Sequence, residues 1–176
     1  MSKALVLLLC WCNMTLAIAQ QWSANVGLVS YYLFNGISQT KQKPALQLGV
    51  DYAPTANTYL GTWWSNVNYD NAELEVDFYY GMSLYQSDSL SLSAGLAHYL
   101  YFGQSSSNEN NYNELYISGQ WQVLNVQSWY ANDYFGTGAR HLIVAANYQW
   151  QLDDASAITF ALDNFRSLDR QIFSWT

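Results

Sequence analysis

The sequence predicts an all-β protein, an antiparallel up-and-down transmembrane β-barrel, on three observations. Apolar and polar residues alternate with period two along most of the chain. The alternating segments are longer than ordinary globular strands. The composition is also wrong for a surface bathed in water: of 176 residues only 11% are charged and 51% are hydrophobic, with 15 Tyr, 8 Trp and 7 Phe. Soluble domains carry about a quarter charged residues. Tyr and Trp join an apolar body to a polar tip and suit the boundary between hydrocarbon and water. Six basic residues against thirteen acids leave no cationic face for a phosphate backbone, so nucleic acid is excluded as a partner.

Residues 1–19 read as a cleavable signal peptide. Lys3 supplies a positive start, Ala4 to Leu9 an apolar run, and Ala17-Ile18-Ala19 the small-residue exit. A membrane-spanning helix is the weaker alternative, because Asn13 and Thr15 interrupt a run short of the ~20 apolar residues a span needs. Cys10 after three leucines admits a lipoprotein, but the residue before such a cysteine is normally small and Leu9 is not. Cys10 and Cys12 both lie in the removed segment, so the exported domain, residues 20–176, has no disulfide to lean on.

Nine strands follow, read as 22–34, 44–54, 58–68, 74–85, 90–102, 112–123, 126–134, 140–152 and 157–165, with a fragment from about 171. In the clearest, Leu74, Val76, Phe78, Tyr80, Met82 and Leu84 share one face; Glu75, Asp77, Tyr79, Gly81 and Ser83 share the other. A helix would scramble these faces, because residues two apart on it point about 200° apart. Leu115, Ile117, Trp121 and Val123 oppose Glu114, Tyr116, Ser118 and Gln120 in the same manner. Leu90 to Phe102 has one misfit on its apolar face, His98. A run of about 9 to 13 residues exceeds the usual globular strand of about 5–6 and matches the ~9–11 of a tilted membrane strand.

The connections alternate as well. Thr55 to Asn57, Gln86 to Ser89, Asn125 and Asp153 to Ser156 are tight; Asn35 to Lys43, Gly103 to Asn111 and Arg166 to Arg170 are longer and polar. Short periplasmic turns and long outside loops are the outer-membrane pattern, from which Asp70 to Glu73 and Gly136 to Ala139 depart by being short. The polar rows hold Gln, Asn, Ser, Tyr and a few acids but almost no lysine. A closed barrel would turn them inward and set the apolar rows against lipid, and closure is required because an open edge in hydrocarbon leaves backbone groups unpaired. Aromatics near strand ends (Tyr31, Tyr32, Phe34; Tyr101, Phe102; Tyr134, Phe135; Tyr148, Trp150) are expected in the interfacial girdles.

Ser30-Tyr31-Tyr32-Leu33-Phe34-Asn35-Gly36-Ile37-Ser38-Gln39-Thr40, followed by Lys43-Pro44-Ala45-Leu46-Gln47, resembles the opening of the TorF family of Gram-negative outer-membrane porins, also catalogued as a conserved hypothetical family. Tyr59 to Val67, Glu73 to Asp77 and Tyr112 to Tyr116 continue the resemblance. Family members tend to carry an acid near Tyr31 and an arginine where Asn35 stands, and this chain lacks that pair. They also run on for further hairpins. The expectation is therefore a fragment of a barrel of about twelve strands; the alternative is a ten-stranded barrel with Phe173-Ser174-Trp175 as its signal to the outer-membrane assembly machinery. The resemblance implies a porin for small polar solutes, without enzymatic activity or cofactor, in contact with outer-membrane lipid and lipopolysaccharide. A barrel enzyme or adhesin, and a secreted soluble β-sandwich, are the alternative classes.

Asp51, Glu75, Asp77, Glu114, Asp163 and also Asp133 are expected on inward rows. They would form either a cation-preferring lumen or structural filling paired with Arg140, Lys41, Lys43 or tyrosine hydroxyls. Gly36, Ser38, Gln39, Thr40 and Pro44 mark the first outside loop, which either folds inward to constrict the mouth or simply builds a turn. Lys41 and Lys43 are candidates for lipopolysaccharide phosphates. His98 and His141 lack a nucleophile elbow nearby, so no catalytic residue is assigned. No His/Cys/acid cluster has metal-ligand spacing, and no metal is expected.

Overall fold

The computed structural model describes residues 21–104, 107–153 and 156–169. The expected signal peptide and the fragment from about 171 lie outside the described residues. The long strands are β1 (Trp22–Val29), β4 (Ala45–Thr55), β5 (Thr58–Tyr69), β6 (Ala72–Gln86), β7 (Leu90–Gly103), β8 (Tyr112–Trp121), β9 (Leu124–Ala131), β10 (His141–Gln151) and β11 (Ala157–Ser167). A small hairpin, β2 (Leu33–Phe34) and β3 (Ile37–Ser38), sits between β1 and β4. The nine long strands form one antiparallel sheet in the order β1-β4-β5-β6-β7-β8-β9-β10-β11. Each pairs with its neighbour along the chain, as hairpin connections dictate. The edges are β1 and β11, and among the described residues no pairing closes the sheet into a ring.

The expected strands are all present, with three local differences. The first strand ends at Val29 rather than at 34: the chain bends at Ser30 and Tyr31, and Leu33–Phe34 pair with Ile37–Ser38 across the Asn35 (φ 49°) and Gly36 (φ 81°) turn instead of with β4. Positive φ at both central residues is the two-residue turn that suits a hairpin's twist, and Asn-Gly is its favoured sequence. The turn placed at Asn125 falls at Gln122 and Val123, with Gln122 at φ 51° and Trp121 facing Leu124 across the ladder. A short 3-10 turn, Tyr134–Gly136, occupies what reads as the end of a strand and the loop beyond. Asp70 and Asn71, both at positive φ, make the tight turn between β5 and β6.

The sheet has inverted polarity. Glu75 is 0% exposed and Glu114 3%, whereas Phe78 is 50% and Leu115 55% exposed. Leucine, valine and phenylalanine rows on β4 to β10 face out, and the Glu, Asp, Ser and Tyr rows face a shared interior. The conventional apolar cluster is small and lies at the end with the longer loops. Val67, Tyr101, Tyr112, Ala131, Tyr134, Phe135 and Ile143 gather there.

Candidate functional site

The strand registers bring the interior together row by row. Ser65 on β5, Glu75 on β6 and Tyr101 on β7 lie side by side; one row on are Trp63, Asp77, Tyr99 and Tyr112. Gly61, Tyr79, Ala97 and Glu114 form the third row. The fourth runs from Tyr59 through Gly81 and Gly95 to Tyr116. Tyr101 donates its hydroxyl to Glu75 Oε1 at 2.8 Å, and Tyr99 donates to Glu114 Oε2 at 2.8 Å. Tyr79 donates to Asp51. Glu75 Oε2 and Asp77 Oδ1 are buried without a hydrogen-bond partner. Among the described residues the salt bridge is Arg140 to Asp169 at 2.8 Å, on the exposed rim, and no lysine or arginine reaches the interior acids. Of the partners expected for these carboxylates, tyrosine hydroxyls are the ones found.

The fourth row depends on glycine. Tyr59 and Tyr116 lie over Gly81 and Gly95 from either side, and their hydroxyls meet at 2.7 Å. A Cβ on Gly81 would fall on the Tyr59 ring, and one on Gly95 on the Tyr80 carbonyl oxygen. Ring-over-glycine packing pins strand register in curved sheets.

Two loops fold into the interior at the long-loop end. In the first, Thr40 Oγ1 accepts from the Tyr32 amide at 3.2 Å and Ser38 Oγ from the Gln42 amide at 2.8 Å. Gln39 and Thr40 are both buried. Within the Gly36, Ser38, Gln39, Thr40 and Pro44 motif, Gly36, Ser38 and Thr40 build the turn, and Gln39 and Thr40 pack inward while Pro44 stays exposed. Pro44 places its carbonyl 3.2 Å from the Asn66 amide nitrogen, which donates to it. The second loop brings Tyr134 and Phe135. Phe135 packs on Tyr112 at 4.8 Å, Tyr101 at 5.5 Å and Phe34 at 6.3 Å between ring centroids. The Asn35 amide donates to the Tyr134 hydroxyl at 3.0 Å and ties the loops to each other. Burial pushes the Tyr134 hydroxyl above its ordinary pKa; burial together with the Glu75 and Asp77 charges raises Tyr32 likewise.

Several expectations are corrected here. Tyr32, Phe34, Tyr101, Tyr134 and Phe135 belong to this inner plug, not to a girdle, because the loops carrying four of them turn inward and Tyr101 shares the carboxylate face. Phe102, Tyr148 and Trp150 do lie exposed on the outer face. Asp133 is in the loop after β9, where Oδ1 accepts from the Gly138 amide at 2.6 Å, so it is a turn residue. Asp51 and Asp163 are on the interior face but less covered than Glu75, with Asp163 near the sheet edge. His141 is buried, with its ring 4.5 Å from Tyr134 and 3.6 Å from Phe165. His98 faces the other way, out of the sheet, with Nδ1 2.7 Å from Asn113 Oδ1. Arg140 is held by Asp169, whose carboxyl stays below the usual range through hydrogen bonds from Arg140. Among the described residues no group of His, Cys, Asp and Glu has the geometry of a metal site.

Past the plug, the interior holds two neighbouring cavities. One of about 330 Å³ lies among Tyr59, Tyr79, Tyr116, Ser118 and Gln127; one of about 390 Å³ lies among Asn35, Glu114, Asn147 and Asp163. Tyr99 and Trp129 wall both. The chamber offers π faces, hydroxyls, amides and carboxylates, a lining suited to small polar or cationic solutes.

The fold and this interior define a class: an antiparallel all-β protein whose sheet buries its polar face and presents its apolar one. The chain belongs to the Gcw_chp family of bacterial proteins of unknown function, whose family model matches residues 15–163. No curated protein and no solved structure matches it.

Proposed function

We propose that this chain is a Gram-negative outer-membrane β-barrel of the porin type, non-enzymatic, which passes or holds small polar solutes and prefers cations. The observation that carries the reading is the inverted polarity. A sheet that buries Glu75 and Glu114 while exposing Phe78 and Leu115 leaves its outer face unstable in water and suited to acyl chains. In hydrocarbon the edges β1 and β11 need partners, which closure into a ring would supply. Cation preference follows from interior carboxylates with no lysine or arginine beside them among the described residues. The aromatic plug makes the path narrow, which favours retention of a solute in the chamber over free flow.

The test is expression of the full chain in a Gram-negative host, membrane fractionation, and planar-bilayer recording under a salt gradient. Recovery in the outer-membrane fraction, with small conductance and a cation-selective reversal potential, is expected. Recovery in the periplasm without detergent would refute the reading in favour of a soluble protein, and anion selectivity would refute the role given to the carboxylates.

A further inference from the structure

We propose that the interior cavity of about 390 Å³ binds a linear aliphatic polyamine, with one ammonium at Glu114 and Asn35, another at Asp163, and the methylenes between them against Trp129 and Ile143. This names the solute class of the porin reading, and it rests on that reading's buried polar face being the solute chamber. The strand registers set the order of the groups. Tyr116, Trp129, Ile143 and Phe165 form one interior row across β8 to β11. Glu114 precedes Tyr116 by two positions and so lies one row toward the long loops. Asp163 lies one row the other way, beside Ala145, Gln127 and Ser118. The two carboxylates are therefore about 14 Å apart along the strand direction, with the Trp129–Ile143 row between them. All of these but Tyr116, Phe165, Gln127 and Ser118 line the one cavity.

The ends of that cavity are short of donors. Glu114 is 3% exposed, and Tyr99 serves only its Oε2; among the described residues nothing donates to Oε1. Asn35 spends its amide nitrogen on the Tyr134 hydroxyl, which leaves its carbonyl oxygen to accept. Asp163 accepts no hydrogen bond among the described residues, and no lysine or arginine lines the cavity. A carboxylate taken out of water needs a counter-charge, and here a cationic ligand supplies it. The middle row decides which kind of cation. The described acids have no metal-site geometry, and Trp129 and Ile143 give a hydrated ion nothing to bond. To a polyamine they give an apolar wall for the methylenes and a π face for an ammonium.

The experiment is calorimetric titration of the full chain in detergent micelles at low salt, with spermidine or with butylamine as the one-ended control. Wild type should bind spermidine at least about tenfold more tightly than butylamine, since only spermidine reaches both ends. Glu114→Gln keeps an acceptor for Tyr99 but removes the charge, and should weaken both amines about tenfold. Asp163→Asn should weaken spermidine by about as much and leave butylamine unchanged. Asp88→Asn removes the same charge from an exposed turn and should change neither. Heat-modifiable gel migration verifies that each variant folds. Equal affinity of wild type for the two amines, undiminished spermidine binding by folded Glu114→Gln or Asp163→Asn, or an equal loss in Asp88→Asn overturns the proposal. Cation-selective conductance without spermidine affinity refutes the proposal alone; anion selectivity with that affinity intact refutes the porin reading alone.

Discussion

Gly95→Ala tests the tyrosine-over-glycine row. The added Cβ would overlap the Tyr80 carbonyl oxygen and the Tyr116 ring, so either the β6–β7 ladder or the ring must move. If the ring swings off, the Tyr59–Tyr116 hydroxyl contact at 2.7 Å and the Tyr116 bond to the Tyr80 carbonyl at 3.3 Å are lost. Each hydrogen bond contributes about 0.5–1.5 kcal/mol net, and overpacking costs about 1–3 kcal/mol. Reduced freedom of the unfolded chain returns about 0.4–1 kcal/mol. The balance is a loss of about 3 kcal/mol. With a urea dependence of about 1–3 kcal/mol per molar, the midpoint should fall by about 1–3 M. Gly27→Ala is the control: nothing lies within 4 Å of its would-be Cβ and its φ is negative, so it should leave the midpoint unchanged or raise it slightly. Tryptophan fluorescence of the detergent-solubilised chain reports the transition. Coincident curves for the two variants would refute the reasoning. A cycle with Tyr116→Leu separates the ring from the backbone clash, since only the ring component should couple.

Three further outcomes follow from the interior and its rim. Tyr101→Phe removes the donor to buried Glu75 and should cost about 1–3 kcal/mol in the same urea assay; an unchanged midpoint would mean Glu75 is satisfied elsewhere. Asn35→Ala removes the tie to Tyr134, worth about 1 kcal/mol, and should speed proteolytic cleavage in residues 30–44 about fivefold; unchanged cleavage would show that the aromatic contacts alone hold the loop. Arg140 lowers the Asp169 pKa, so their contact is complete at neutral pH and is lost only as pH falls through that lowered value. Hydrogen exchange at the Arg140 and Leu168 amides, bonded to Asp169 and to the Arg140 carbonyl, should accelerate only in strong acid, and acceleration already near neutrality would contradict the sign.

Period-two alternation made the long strands legible, because inverted polarity leaves the period intact. Glu75, Asp77 and Glu114 could be put on one face because side-chain direction in a strand alternates strictly. Tyr32, Phe34 and Phe135 were not legible as plug residues. An aromatic at a strand end suits a girdle and an inward loop equally, and the choice is made by contacts far along the chain. One local signal was available: Asn35-Gly36 is a hairpin turn sequence, which pairs Leu33–Phe34 with Ile37–Ser38 and takes them out of the first strand. Asp133 was misplaced for a related reason. Its carboxylate serves the Gly138 amide, a loop bond invisible to alternation. His141 is buried because Phe165 and Tyr134 come to it from another strand and a loop.

The Asn35–Tyr134 bond spans 99 positions in a molecule whose sheet is otherwise assembled from neighbours. Hairpins can zip one after another as the chain arrives, but this bond must wait until β9 has been laid down. Until then Phe34 lacks the Phe135 ring that covers it. The two loops are therefore a late stitch in the order of assembly, and the half-built chain leaves that aromatic face uncovered.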